Sequence, residues 1–327
     1  MSKPDRPGVR VTVAVVSYNH QEYVAECLQS LLDQTIRATI IVVDDHSTDN
    51  SQSVIRRFVE GSGQEDRFTL LMHRENTGLP AGLNEALGLV DTEYFVYLAA
   101  DDWSLPDRLE KQVTALDNAG SGTGLCYTDC LRARPDGSFH PETFSQNHSE
   151  SWIPETRDPY RDLLLFDNWI PAPTVMFRTA ALRAIGGFDE HIAYEDHDSY
   201  VRMAREFALC WLPEPLSVHR ELEGGLGEQL FYPDSPRWLD GVLRMELKQL
   251  GHRRDVDEQL APQVRVRAIR LLKLGGDLVL VRRALARSWR IQPNGVGVAY
   301  WLLSLAPEPL VARLLPSRQR RTAHGSG

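Results

Sequence analysis

Residues 94–103 read YFVYLAADDW, an apolar and aromatic run that stops at two adjacent carboxylates, Asp101 and Asp102. An unbroken apolar run of this length, bounded by polar residues, predicts a strand buried on both faces. The same design recurs towards the N-terminus. VTVAVVSYN (11–19) and TIIVVDDHS (39–47) are β-branched runs closed by polar residues, and FTLLM (68–72) is a shorter strand. Between them the period changes to that of a helix: Val24, Leu28, Leu31 and Leu32; then Val54, Ile55, Phe58 and Val59; then Leu79, Leu83, Ala86, Leu87 and Val90. Asp49 is placed to cap the second helix, and Ser104 with Asp107 has the spacing of a capping box before a fourth.

Four strand–helix alternations predict a mostly parallel α/β sheet of the doubly wound kind. Ligands bind such sheets beyond the carboxyl ends of the strands. Three of the four runs end in SYN, DDHS and DDW, so the polar residues gather on one edge of the sheet.

Beyond residue 129 the pattern loosens. ARPDGSFHPETFSQNHSESWIPETRDPY (133–160) reads as a long loop region, PTVMFR (173–178) as a returning strand, GGFDE (186–190) as a turn and YEDHDSYVRMAREF (194–207) as a helix. After Pro215 a linker containing EGGLGE is expected, then helices broken at LGGD and QPNG. The chain is divided accordingly into residues 1–220, an α/β domain, and 221–327, a mainly helical basic region.

Charge supports that division. The chain carries −9, yet residues 259–327 hold twelve Lys or Arg against Asp277 and Glu308, a net of +10 that leaves −19 for residues 1–258. No apolar run reaches the roughly 18 residues of a membrane span, and MSKPDRPGVR has no apolar core of a secretory signal. Cys27, Cys126, Cys130 and Cys210 form no CxxC pair and read as reduced thiols. The expected location is cytoplasmic.

In order, VVSYN, VDDHSTDNS, RENTGLPAGLN, YLAADDW, GGFDE and YEDHD make the chain resemble the family-2 glycosyltransferases, over roughly residues 11–220. The resemblance implies the GT-A fold, a Rossmann-like mostly parallel sheet flanked by helices, here with a C-terminal helical extension. It implies an inverting transfer of a sugar from a UDP- or dTDP-sugar donor to a hydroxyl of a sugar, lipid-linked or small-molecule acceptor, with Mg²⁺ or Mn²⁺ as cofactor. No nucleic acid is expected as a partner.

The resemblance also assigns residues. Asp101 and Asp102 hold metal and ribose jointly, and a hard divalent ion takes carboxylate oxygens together with phosphate and water. The family's usual Asp-x-Asp is incomplete, because Ala99 stands where the first aspartate belongs. The competing reading is a solvated capping turn. Asp44 or Asp45 contacts the nucleotide base, alongside Ser17, Tyr18 and Asn19, unless Asp45 and Ser47 only shape the turn. Arg74 and Asn84 are nucleotide-side candidates, Arg74 being equally readable as a solvated arginine. Asp196 is the general base, in an acidic cluster with Glu195 and Asp198 where a raised pKa is expected; the alternative is an ordinary acidic helix start. His219 is a metal-ligand candidate and Arg220 a phosphate partner, unless both belong to an ordinary loop. Trp103, Trp152 and Trp169 are candidates for stacking on the acceptor side, with Glu195 beside them, or else core residues.

Two other classes compete. A nucleotidyltransferase needs a Gly-rich, basic loop after the first strand, which SYNHQEYV lacks. A non-catalytic relative of the fold is favoured by Ala99 and opposed by YEDHD. In the C-terminal region, apolar positions interleave with Arg265, Arg267, Arg270, Arg282, Arg283 and Arg287, so the expectation is peripheral contact with the inner face of a membrane, or arginines paired with the acidic body or a second subunit.

Overall fold

The computed structural model describes residues 8–148, 156–166, 168–192, 194–222 and 235–306. Trp152, the EGGLGE segment and the terminal RLLPSRQRRTAHGSG lie outside the described residues. Contacts divide the chain into two units, Met1–Glu190 with Glu195–Leu222, and His191–Tyr194 with Glu223–Gly327.

In the first unit β1 (Val11–Ser17), β2 (Ala38–Asp44), β3 (Phe68–Met72) and β4 (Tyr94–Ala99) form where their sequences demand it. They pair in parallel in the order β3-β2-β1-β4. β1 is in register with both neighbours, Ser17 opposite Asp44 and Val16 opposite Ala99, which aligns the three polar strand ends along one edge. The core on one face joins Val13, Val15, Ile40, Val42, Val96 and Leu98 to Leu28 and Leu31 of α1 (Val24–Leu32) and Ile55 of α2 (Ser51–Gly61). α3 (Leu79–Leu89) and α4 (Arg108–Ala119) complete the alternation.

Two expected caps are corrected. Asn50, not Asp49, is the N-cap of α2, and Asp49 accepts from the backbone N–H and hydroxyl of Ser51 in the preceding turn. Ser104 does not cap α4. It belongs to the two-residue strand β5 (Trp103–Ser104), and its Oγ accepts from the buried Arg108 guanidinium.

The larger difference is the second half of the sheet. β6 (Thr123–Ala133), β7 (Met176–Arg178) and β8 (Ala208–Arg220) extend it to eight strands in the order β3-β2-β1-β4-β7-β6-β8-β5. β7 runs antiparallel to β4 and β6, β8 parallel to β6, and β5 antiparallel to β8. The sheet is therefore mixed, with the parallel pairs in the majority, and the expected GT-A class of α/β fold is the one observed. The stretch around Pro215, read as the start of a linker, is strand. Its prolines are accommodated because the register jumps from Thr128 opposite Leu212 to Asp129 opposite Pro215, leaving Pro213 and Glu214 in a bulge that needs no ladder hydrogen bond. α5 (Phe144–Asn147), α6 (Pro159–Leu165) and α7 (Thr179–Ala184) are short, and α8 (Glu195–Glu206) is the YEDHD helix.

The second unit contains α9 (Pro236–Gln249), α10 (Arg254–Lys273), α11 (Leu278–Ile291) and α12 (Gly295–Ser304). Its breaks fall at LGGD and QPNG as read. Asp277 accepts from the N–H groups of Val279 and Leu280, and Asn294 from that of Gly297, so each break ends in a side-chain cap.

Candidate active site

At the end of β4 the chain turns through Ala100 into Asp101 and Asp102. Asp102 is buried and its Oδ1 accepts two hydrogen bonds from the end of β8, from the Arg220 backbone N–H at 2.9 Å and from His219 Nδ1 at 3.1 Å. β5 makes this possible, since Trp103 pairs with Val218 immediately before His219. Burial and then the Asp102 charge push the Asp101 carboxyl up, while His20 Nε2, 3.8 Å from its Oδ2, pulls it down. Burial lowers His219, but Asp102 and then Asp101 overcome it and hold the imidazole up at about 9. His219 is thus a resident counter-ion of the pair.

Arg220 is not free for a phosphate. Its guanidinium lies 4.7 Å from the ring centres of both Tyr23 and Trp103, donates to the Asp101 and Pro135 carbonyls, and pairs with Glu26 of α1. Trp103 is thereby occupied on one face, and Phe139 packs 6.2 Å from its ring centre.

At the end of β2 both carboxylates accept hydrogen bonds from the protein. Asp44 is fully buried and accepts from Ser47 N, Ser47 Oγ and Gln52 Nε2. Asp45 accepts from the N–H groups of Thr77 and Gly78, the Thr77 hydroxyl and His73. Those hydrogen bonds outweigh burial and lower its pKa. These hydrogen bonds shape the turn, as the alternative expected, and they leave acceptor capacity on the Oδ2 atoms of Asp44 and Asp45. Asn19 bridges the two loops, its Oδ1 accepting from Thr48 N and Oγ1. Asn19 and His46 are the non-glycine residues with positive φ among the described residues, at 60° and 65°, and such backbone concentrates at functional loops. Tyr18 is 46% exposed beside them. The hydroxyl of Ser17 and Nδ1 of His20 are buried without a hydrogen-bond partner, a deficit that a polar ligand at this edge would remove.

The start of α8 forms a second cluster. Glu195 is buried and Asp196 half-buried. Burial, then the Asp196 charge, pushes Glu195 up to about 8, and burial pushes Asp196 up to about 6 against hydrogen bonds from His197 N and Asn168 Nδ2. The cluster lies against β4, where Tyr97 OH meets Tyr200 OH at 3.4 Å. Asp198 faces elsewhere. It is fully buried in an ion pair with Arg202, whose guanidinium holds the carbonyls of Ile185 and Gly187.

Three other expected site residues are placed apart. Asn84 spends its amide on the GGFDE loop, accepting from Phe188 N and donating to the Phe188 carbonyl and Glu190. Trp169 is core, 2% exposed, with Nε1 donating to Tyr127 OH at 3.4 Å. Arg74 stands exposed after β3. The residues that sequence reading missed are His20, Asn168 and His73. His20 directly follows the SYN strand end and was findable by that position; the other two carry no sequence signal.

Among the described residues, no three His, Cys, Asp or Glu side chains are grouped closely enough to hold a metal by themselves. The donor set at Asp101 and Asp102 fits a hard divalent ion that keeps part of its shell for substrate oxygens, rather than a closed cage.

Comparison with known proteins agrees with this architecture. The family described as glycosyl transferase family 2 matches residues 12–169. The putative glycosyltransferase EpsH of Bacillus subtilis is 34% identical over 122 residues, 37% of this chain and 33% of that protein, so the match spans a third of its length. The uncharacterized glycosyltransferase MJ1057 of Methanocaldococcus jannaschii is 32% identical over 224 residues, 66% of this chain and 71% of that protein. The mannosyltransferase PcManGT of Pyrobaculum calidifontis, solved in complex with GDP-Man and Mn²⁺, superposes with a TM-score of 0.59 at 19% identity, covering 96% of this chain and 83% of that one. At that identity the likeness concerns the fold.

Proposed function

The chain belongs to glycosyltransferase family 2, and from that premise we propose that it is an inverting, metal-dependent enzyme that transfers a sugar from a nucleoside-diphosphate donor to an acceptor hydroxyl. The observation that supports the proposal best is the Asp101–Asp102 pair at the end of β4, with His219 Nδ1 3.1 Å from Asp102 Oδ1 and His20 Nε2 3.8 Å from Asp101 Oδ2.

Asp101 and Asp102 would hold Mg²⁺ or Mn²⁺, with His219 at its border. When bound, the ion supplies positive charge to the diphosphate as the glycosidic bond breaks. The acceptor oxygen attacks the anomeric carbon, the bond from that carbon to the diphosphate oxygen breaks, and the acceptor proton passes to Asp196. Attack opposite the leaving group inverts the anomeric configuration. Asp196 suits this role because burial brings its pKa towards neutrality, where a general base works best. His197 N fixes one of its oxygens and Asn168 the other. Glu195 beside it is pushed up as well, by burial and then by the Asp196 charge, so the two carboxyls oppose sharing two negative charges.

The expectation of a UDP or dTDP donor rested on Asp44 or Asp45 accepting from the base. Ser47, Gln52, Thr77, Gly78 and His73 already donate to these carboxylates, and Asp44 Oδ2 and Asp45 Oδ2 each retain acceptor capacity for a pyrimidine N–H, so a UDP or dTDP donor stays the proposal. Thermal melting with UDP, dTDP and GDP, each with Mn²⁺ or with EDTA, tests it. A ligand at a hundred times its dissociation constant adds about 2.7 kcal/mol, and the expected result is a Mn²⁺-dependent rise that Asp101→Ala abolishes. Equal melting under all conditions overturns the proposal and favours a non-catalytic relative of the fold.

A further inference from the structure

α12 is built the wrong way round for a helix in water. Its sequence, GVGVAYWLLS, has no charged residue, yet its buried positions are Gly297 and Ser304. The small residues face inward and allow close packing, while Val298 and Leu302 are 39% and 57% exposed. A water-facing helix places its apolar stripe on the core and polar residues outside. An exposed apolar face of this kind marks a contact surface.

The neighbouring helix carries charge. α11 contains four arginines and no acid. Arg287 is turned to the carbonyls of Leu247 and Leu250, and Arg282 to that of Ser304, the end of α12. Arg283 and Arg290 are exposed, on the stripe that also carries Val279, 70% exposed, with Trp289, 45% exposed, at its side. Spacings of four and seven residues place Val279, Arg283 and Arg290 in one row.

We propose that α12 and this stripe of α11 dock the protein on an anionic lipid surface. Valine, leucine and tryptophan enter the boundary between headgroups and acyl chains, and the two arginines pair with lipid phosphates, the division of labour of a helix lying in the membrane plane. α12 is ten residues long, too short to cross, and no described helix is long and apolar enough to cross a membrane. A protein partner is the less economical occupant, because α12 offers no side-chain charge with which to select one.

The test is flotation of the full chain with vesicles of phosphatidylcholine alone or mixed with phosphatidylglycerol. The expected result is co-flotation with the mixed vesicles only, reduced at least tenfold by Val298→Glu with Leu302→Glu, and separately by Arg283→Glu with Arg290→Glu. All four positions are exposed, and an unchanged melting temperature checks that the variants fold. Protein that stays at the bottom at low salt overturns the proposal, as does flotation that ignores both pairs of substitutions. A doubled mass in light scattering, removed by Val298→Glu with Leu302→Glu, assigns the face to a second copy of the chain and overturns it equally. None of these readouts depends on the catalytic reading.

Discussion

Arg220 donates its backbone N–H to Asp102 Oδ1 at 2.9 Å, while its own guanidinium donates through Nε to the Asp101 carbonyl at 3.1 Å. One residue at the end of β8 therefore grips both members of the carboxylate pair at the end of β4. The stacked Tyr23 and Trp103 rings and the Glu26 partner leave the guanidinium little freedom. Arg220→Met keeps the backbone bond and removes the rest. Unsatisfied carbonyls and lost packing are expected to cost about 2–4 kcal/mol. Chemical denaturation measures that cost, and Arg220→Lys is expected to recover only part of it, since an ammonium cannot reproduce the fork or the stacking.

Asp196→Asn keeps the shape and the contact with Asn168 but cannot take a proton. Nucleotide-induced melting shifts are expected to stay within error of the parent, while transfer falls by about a hundred- to ten-thousand-fold. Undiminished transfer removes Asp196 from the mechanism.

The acid limb of transfer follows from the same group. Asp196 must be ionised to act, and its carboxyl is pushed up to about 6. Activity is expected to rise through about pH 6 rather than near the ordinary carboxylate value of about 4. A pH–rate profile of kcat/KM decides between the two.

Stability runs the other way with pH. Burial raises Glu246 in α9 to about 7, against the opposing charge of Arg267, and raises Glu195 to about 8. A carboxyl with a raised native pKa holds its proton in the folded state after the unfolded chain has released it. Its contribution is complete below its ordinary pKa of about 4.5 and is lost as pH rises through the native value. Melting temperature is therefore expected to fall between about pH 5 and 8, and Glu246→Gln to flatten part of that slope. A melting temperature that rises over this range contradicts both shifts.

Gly124 tests how α8 is seated. A Cβ there would lie 2.2 Å from Met203 Sδ and 2.9 Å from Phe207 Cβ. The thioether can swing aside, but a Cβ on the backbone just beyond α8 cannot. Gly124→Ala is expected to cost about 1–3 kcal/mol and, by displacing the helix that begins with Glu195 and Asp196, to lower kcat more than nucleotide affinity. Comparing steady-state kinetics with melting shifts separates the two.

The first half of the sheet was legible because β1, β2 and β4 are uninterrupted apolar runs with polar ends, a pattern that a parallel sheet buried on both faces imposes. β6 and β8 were not. TGLCYTDCLRA mixes glycine, threonine, aspartate and arginine, and ALCWLPEPLSVHR carries two prolines that argue against a strand unless a bulge is known. The site divided in the same way. Asp101, Asp102 and His219 could be read as a group because strand ends converge, and Asp196 because YEDHD stands among the family's motifs. A carboxylate at a strand end looks alike in sequence whether it meets a ligand or its own turn, and the turn hydrogen bonds of Asp44 and Asp45 were not legible there. Asn84 is a related case: the sequence gives no sign that its amide ties the GGFDE loop.

The mixed order of the sheet also sets a timetable. Asp102 and its counter-ion His219 are 117 residues apart in the chain. β1 to β4 are joined through helix-linked neighbours, whereas β8 is separated from β4 in the sheet by β7, which runs antiparallel, and by β6. Loop closure over so long a span is slow. A chain emerging from the ribosome would carry the two carboxylates without His219 until the strand that bears it has been made and docked, so the pair is completed well after β4 itself.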